Sequence, residues 1–232
     1  MKTIPILSTI IIFLVAAVVL YFSTHAIIPL LNNHYGLIPI LSWFLAGGVF
    51  VFIPLFIFAI LFVRKEVNSN NIKTIARALN LRPMSKSDWK FAIVGLGATY
   101  IFSAMIMAVI KMLSPDFNPS PGFMKFDGFT PDQYWMILLW LPFFFFNIVG
   151  EEIMWRGYIL PRQQHRSGSI VMHSFLWGVF HLAFGMGLLL TLIPILIILP
   201  YTVCKTQNTW VGIFIHGVFN GSGFLLIAFN II

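Results

Sequence analysis

The chain has 232 residues, of which 59% are hydrophobic and 9% charged, and its mean hydropathy is +0.93. An ordinary soluble domain carries about a quarter charged residues, so a water-soluble fold is excluded. The net charge of +7 does not point to nucleic acid, because the basic residues sit at the ends of apolar runs and form no separate arm with interleaved aromatics. The partner implied is the lipid bilayer.

Apolar runs fall at 4–31, 37–63, 91–113, 134–160, 169–187, 188–203 and 210–232, with Asn, Gly, Pro or charged residues between them. The runs are continuously apolar, without the alternation of a membrane β-barrel. The expected fold is therefore all-α, a polytopic transmembrane bundle of about seven helices. No internal repeat, low-complexity tract or linker divides it, so one domain over 1–232 is expected. The first run is longer than a signal-peptide core and reads as an uncleaved anchor, although Thr24-His25-Ala26 faintly resembles a cleavage site.

Charge asymmetry orients the spans. The segment 64–90 carries Arg64, Lys65, Lys73, Arg77, Arg82, Lys86 and Lys90 against Glu66 and Asp88, whereas 114–133 carries Asp116, Asp127 and Asp132 against Lys125. The first is expected in the cytoplasm and the second outside. Alternation then places the loop with Arg162 and Arg166, and that with Lys205, inside as well. Within 64–90, Ile72, Ile75, Ala76 and Leu79 have helical spacing opposite Lys73, Arg77 and Asn80, which suits a helix lying on an anionic membrane surface. The single cysteine, Cys204, cannot form an intramolecular disulfide.

Polar groups inside apolar spans are costly, and each is by default a candidate for function. Three places qualify: Gly150-Glu151-Glu152-Ile153-Met154-Trp155-Arg156, His181 with Trp177 four residues before it, and His216 with Asn220 four residues after it. Arg156 stands four residues after Glu152, the spacing at which carboxylate and guanidinium meet, so Glu152 is expected to be the paired, structural acid. Glu151 points about 100° away and lacks a local counter-ion. A buried carboxylate without one is suited to act as a general base near neutral pH. His216 and Asn220 share a helix face and can grip one atom together.

Depth, counted from the basic ends of the helices, places Glu151, His181 and Asn220 at roughly 15–18 Å and His216 at roughly 9 Å. Such agreement between three helices is expected of one water-accessible cavity opening toward the cytoplasm. The plainer reading is interhelical hydrogen-bonding glue. It suits Glu152 with Arg156 better than the four clustered groups. His25, His34, His165 and His173 read as loop or packing histidines, and the Phe143–Phe146 run as core or interfacial belt.

The motif order Glu-Glu-x-x-x-Arg, then aromatic-x-x-x-His, then His-x-x-x-Asn resembles the CPBP family, the CAAX proteases and bacteriocin-processing proteins. The motifs span 151–220, within a motif-bearing half of about 134–232. The resemblance implies an intramembrane endopeptidase, expected in a bacterial cell membrane, that cleaves a membrane-associated peptide or protein. Carried over, Glu151 activates water, His181, His216 and Asn220 complete the site, and Glu152, Arg156 and Trp177 support it. Trp177 stands where the family usually has Phe, which puts the shape of the substrate pocket in question. The family is often called metalloprotease, yet the chain lacks a His-Glu-x-x-His helix, and a metal-free glutamate mechanism has been proposed. In a zinc version Glu151, His181 and His216 would be the ligands, a three-ligand pattern typical of catalytic zinc. The metal-free version is favoured, since Asn220 is a poor zinc ligand and a natural oxyanion donor. Other classes weighed are a non-catalytic scaffold or immunity protein on the same fold and, with no inverted repeat to support it, an ion-coupled transporter.

Overall fold

The structure, a computed structural model, describes residues 2–124, 128–163 and 168–231. Lys125, Asp127, His165 and Arg166 lie outside the described residues. Among the described residues there are helices and no strands. Six helices are long and apolar enough to cross a membrane: α1 (Ile6–Tyr35), α2 (Pro39–Val67), α4 (Lys86–Leu113), α5 (Met136–Arg162), α7 (Met186–Thr206) and α8 (Thr209–Ala228). A shorter apolar segment, α6 (Ser169–Phe184), lies between α5 and α7, and a short surface helix, α3 (Ile72–Ala78), lies between α2 and α4. The chain is an integral membrane protein of the all-α polytopic class. Six long spans and one short apolar helix correspond to the seven runs of the sequence.

Prolines shape the long helices. Wider π-helical turns at Ser23–Ile27, Gly48–Phe52 and Ile153–Ile159 lie just before Pro29, Pro54 and Pro161. Proline removes one backbone donor and crowds the carbonyl four residues back, and a widened turn relieves that clash without breaking the helix. In α5 a further π-helical stretch, Phe146–Gly150, follows Pro142. Glu151 and Glu152 therefore sit between two widened stretches of the same helix.

Loop contacts sort the connections to two ends. At one end the Lys2 amide donates to Glu66, the Glu66 carboxylate pairs with Arg162 at 2.7 Å, and the Ile4 amide donates to the Arg162 carbonyl. Thr209 reaches the Leu79 carbonyl at 2.7 Å, and Asn208, which caps α8, also donates to the Arg82 carbonyl and to Asp88. At the other end Phe129 and the Ala228 carbonyl are joined at 2.9 Å, Asn230 donates back to Phe129, and Phe123 packs beside Phe184. The grouping of segments 64–90, 162 and 205 at one end, and 114–124 at the other, is that required by the alternation of charge. In α3, Ile75 is buried while Ile72 projects outward beside Lys73.

A continuous apolar core runs from Phe13 in α1 through Trp155 in α5 to Ala228 in α8. Two close approaches lock α5 into it. A Cβ on Gly150 would lie 2.6 Å from the Phe52 carbonyl of α2, and one on Gly212 of α8 would collide with the Glu152 carboxylate. Only glycine lets these helices meet at those points.

Candidate active site

The three motifs converge in the middle of the bundle from α5, α6 and α8. Glu152 Oε1 accepts from Arg156 Nη1 at 2.9 Å and from His216 Nδ1 at 2.9 Å. Asn220 Nδ2 lies 3.1 Å from His216 Nε2. Arg156, Glu152, His216 and Asn220 thus form one polar chain across two helices. Because a carboxylate only accepts, His216 carries a proton on Nδ1; in the neutral tautomer Nε2 then accepts from Asn220, which retains a second N–H.

Glu151 faces a different environment. Its Oε2 accepts from the Trp177 indole N–H at 2.9 Å. His181 Nδ1 donates to the Trp177 carbonyl at 2.8 Å, one turn back on α6, leaving Nε2 as an acceptor in the neutral ring. Trp177 lies at the centre of the constellation. Its ring meets those of His181 and His216 edge-on at 5.1 and 5.5 Å, and the Arg156 guanidinium stacks over it at 3.4 Å. Arg156 therefore serves both acids, through an ion pair with Glu152 and a cation–π contact beneath the tryptophan that holds Glu151.

Two features of this arrangement escape a reading by sequence. The contact of Glu152 with His216 joins residues 64 apart, and nothing in helical periodicity relates α5 to α8. Trp177 does more than shape a pocket, because its N–H, which phenylalanine lacks, is the hydrogen-bond donor to Glu151. The signal available was chemical: an indole in place of a benzene ring adds one donor, which when buried usually finds a partner. Among the packing histidines, His173 is fully buried, edge-on to Phe13 at 5.4 Å, with neither ring nitrogen hydrogen-bonded among the described residues. His25 stacks on Tyr21 near the end of the bundle that holds Phe123.

Of the three side chains a zinc version would use, His216 is the one already committed elsewhere. Both nitrogens of His216 are engaged, one by Glu152 and one by Asn220, and Glu151 is held by Trp177. Among the described residues no three His, Cys, Asp or Glu side chains are grouped as a metal site requires.

Fold and site together define a polytopic helical membrane protein with an acid, two histidines and an asparagine assembled inside its bundle. Residues 133–222 match the family model described as Type II CAAX prenyl endopeptidase Rce1-like, so the CPBP resemblance of the three motifs is borne out over the stretch that carries them. The matched stretch begins just before α5 and ends within α8, and the family is one of CAAX-type intramembrane proteases. No curated protein and no solved structure matches the chain significantly.

Proposed function

We propose that the chain is an intramembrane endopeptidase that hydrolyses a peptide bond of a membrane-associated protein or peptide by a metal-free glutamate mechanism. The observation that carries this reading is a pair of unpartnered acceptors, each on a side chain tied to the same tryptophan. Among the described residues Glu151 Oε1 and His181 Nε2 have no hydrogen-bond partner, while the opposite atoms of both side chains are fixed through Trp177. A water between them donates to both and turns a lone pair toward a carbonyl carbon. Glu151 takes the proton as the water oxygen attacks, and returns it to the leaving amine nitrogen as the C–N bond breaks. The spare N–H of Asn220 donates to the developing oxyanion. His216, steadied at Nδ1 by Glu152, accepts from Asn220 at Nε2 and so aims the spare Asn220 N–H.

Glu151→Gln preserves shape and removes the base. Membrane and secreted peptidomes of cells carrying wild type and Glu151→Gln are expected to differ by a set of fragments absent from the variant. Identical peptidomes, with the cellular phenotype retained, would favour a non-catalytic scaffold or immunity role. Purified protein treated with a strong chelator is expected to keep its activity; loss restored by Zn²⁺ would overturn the metal-free mechanism.

A further inference from the structure

The end of the bundle formed by segment 64–90 presents charge of one sign. The two acids of this segment, Glu66 and Asp88, are both engaged by partners within the fold. Asp88 is 2% exposed; it pairs with Arg82 at 2.7 Å and also accepts from Asn208 and from the Ser85 amide. The Glu66 carboxylate pairs with Arg162 and accepts from the Lys2 amide. Each pair removes one acid and one cation, so the segment keeps no acid to answer its other basic side chains.

Those side chains are Arg64, Lys65, Lys73, Arg77, Lys86 and Lys90, and all six are exposed. Among the described residues none of them is within ion-pair distance of a carboxylate; Arg64 bonds the neutral Asn70 amide oxygen. Local structure sets where they stand. In α3, Lys73 and Arg77 are four residues apart and share a face, while Ile75 and, just beyond the helix, Leu79 are the buried residues. In the first turns of α4, Lys86 and Lys90 repeat that spacing, and Asp88 closes a capping box with Ser85 on the buried side. Two large apolar side chains stand among these cations: Ile72 is 82% exposed and Trp89 44%. In water they would forfeit their hydrophobic transfer. At a membrane interface an aliphatic side chain beside lysines enters the acyl boundary, and tryptophan favours the headgroup level.

We propose that α3 and the first turns of α4 form a binding surface for anionic phospholipid headgroups of the surrounding bilayer. Lys73, Arg77, Lys86 and Lys90 donate to the phosphates, and Ile72 and Trp89 anchor the surface among the headgroups and upper acyl chains. The same surface is fastened to the helix that carries His216 and Asn220. The Leu79 and Asn80 carbonyls, directly after α3, accept from the Thr209 hydroxyl and amide at the start of α8, and Asn208 reaches the Arg82 carbonyl and Asp88. Lipid held by α3 and α4 therefore also steadies the base of α8, and a ligand that binds only the folded bundle raises its melting temperature. The lipid assignment stands on charge and exposure and does not depend on the protease reading.

The test uses the full chain carrying Cys204→Ala and Ile72→Cys, labelled at position 72 with an environment-sensitive fluorophore. It is reconstituted into vesicles of phosphatidylcholine alone or mixed with phosphatidylglycerol; both leaflets then carry the anionic lipid, so the direction of insertion does not matter. Emission from position 72 is expected to shift to the blue in the mixed vesicles relative to phosphatidylcholine alone. The difference should fade as salt is raised, because exposed charges are screened over about 10 Å at 0.1 M. In detergent, phosphatidylglycerol is expected to raise the melting temperature of the unlabelled chain more than phosphatidylcholine does. Combining Lys73→Gln, Arg77→Gln, Lys86→Gln and Lys90→Gln should remove most of both effects, since each cation near an anionic surface is worth about fivefold in binding. These side chains pair with no acid, so the variant is expected to fold, as judged by yield of monodisperse protein; if it does not, the local report from position 72 and its salt dependence still decide. The proposal falls if either the emission at position 72 or the melting temperature fails to distinguish the two lipids, or if the folded four-charge variant keeps the full preference for phosphatidylglycerol. A chain that shows the preference yet yields no Glu151-dependent fragments would retain the lipid surface and lose the protease assignment.

Discussion

Glu151 and Glu152 adjoin in sequence, share one helix and are both buried, yet the regions they face are built on different principles. Glu152 has an opposite charge in contact: Arg156 and His216 both reach its Oε1, and Gly212 lets α8 come against the other oxygen, which has no hydrogen-bond partner among the described residues. Around Glu151 a single neutral donor, the Trp177 N–H, holds one oxygen and leaves the other without a partner. The difference is one of charge: Glu152 is paired with a cation, whereas Glu151 has only a neutral donor, and on the proposed mechanism Glu152 serves as the frame while Glu151 keeps a lone pair for water.

The comparison can be broken most directly on the reactive side. Glu151→Gln, His181→Ala and His216→Ala are each expected to come close to abolishing cleavage. The triple variant is expected to be hardly worse than any one of them, because groups acting through one water fail as a unit. Rates that fall multiplicatively would show independent roles. On the frame side, Glu152→Gln or Arg156→Met leaves a buried charge unpaired, a loss of about 3–5 kcal/mol, and folded yield and melting temperature in detergent should fall in both. The double variant is expected to recover folded protein but not activity, since His216 would still lack its Nδ1 partner. Full activity in the double variant would reduce Glu152 to packing.

Two smaller effects sharpen the boundary between frame and reactive group. Asn220→Ala removes one oxyanion donor and is expected to lower kcat by about a hundred- to a thousandfold while folded yield holds. A loss of yield equal to that of Glu152→Gln would move Asn220 into the frame. Trp177→Phe keeps the ring over Arg156 and deletes the N–H to Glu151, a hydrogen bond to a charged group worth about 1.5–3 kcal/mol. The expected result is a drop in kcat of roughly tenfold or somewhat more with little change in stability, and unchanged kcat would mean that Glu151 is positioned by the helix alone.

Several features of this chain were legible in the sequence because they depend on local order. Continuous apolar runs require helices, since a backbone in lipid must satisfy its own hydrogen bonds. The four-residue spacings of Glu152 with Arg156 and of His216 with Asn220 put each pair on one helix face, and both pairs are in contact. The motif order carried the family likeness over 133–222. Tertiary structure decided what no spacing contains: that His216 turns its Nδ1 to Glu152, that Trp177 touches Glu151, Arg156 and both histidines, and that Phe13 of α1 packs against Trp155 and His173. Helical periodicity fixes which residues share a face and how far they lie along an axis. It leaves open which faces meet, because that depends on how α1, α5, α6 and α8 pack against one another.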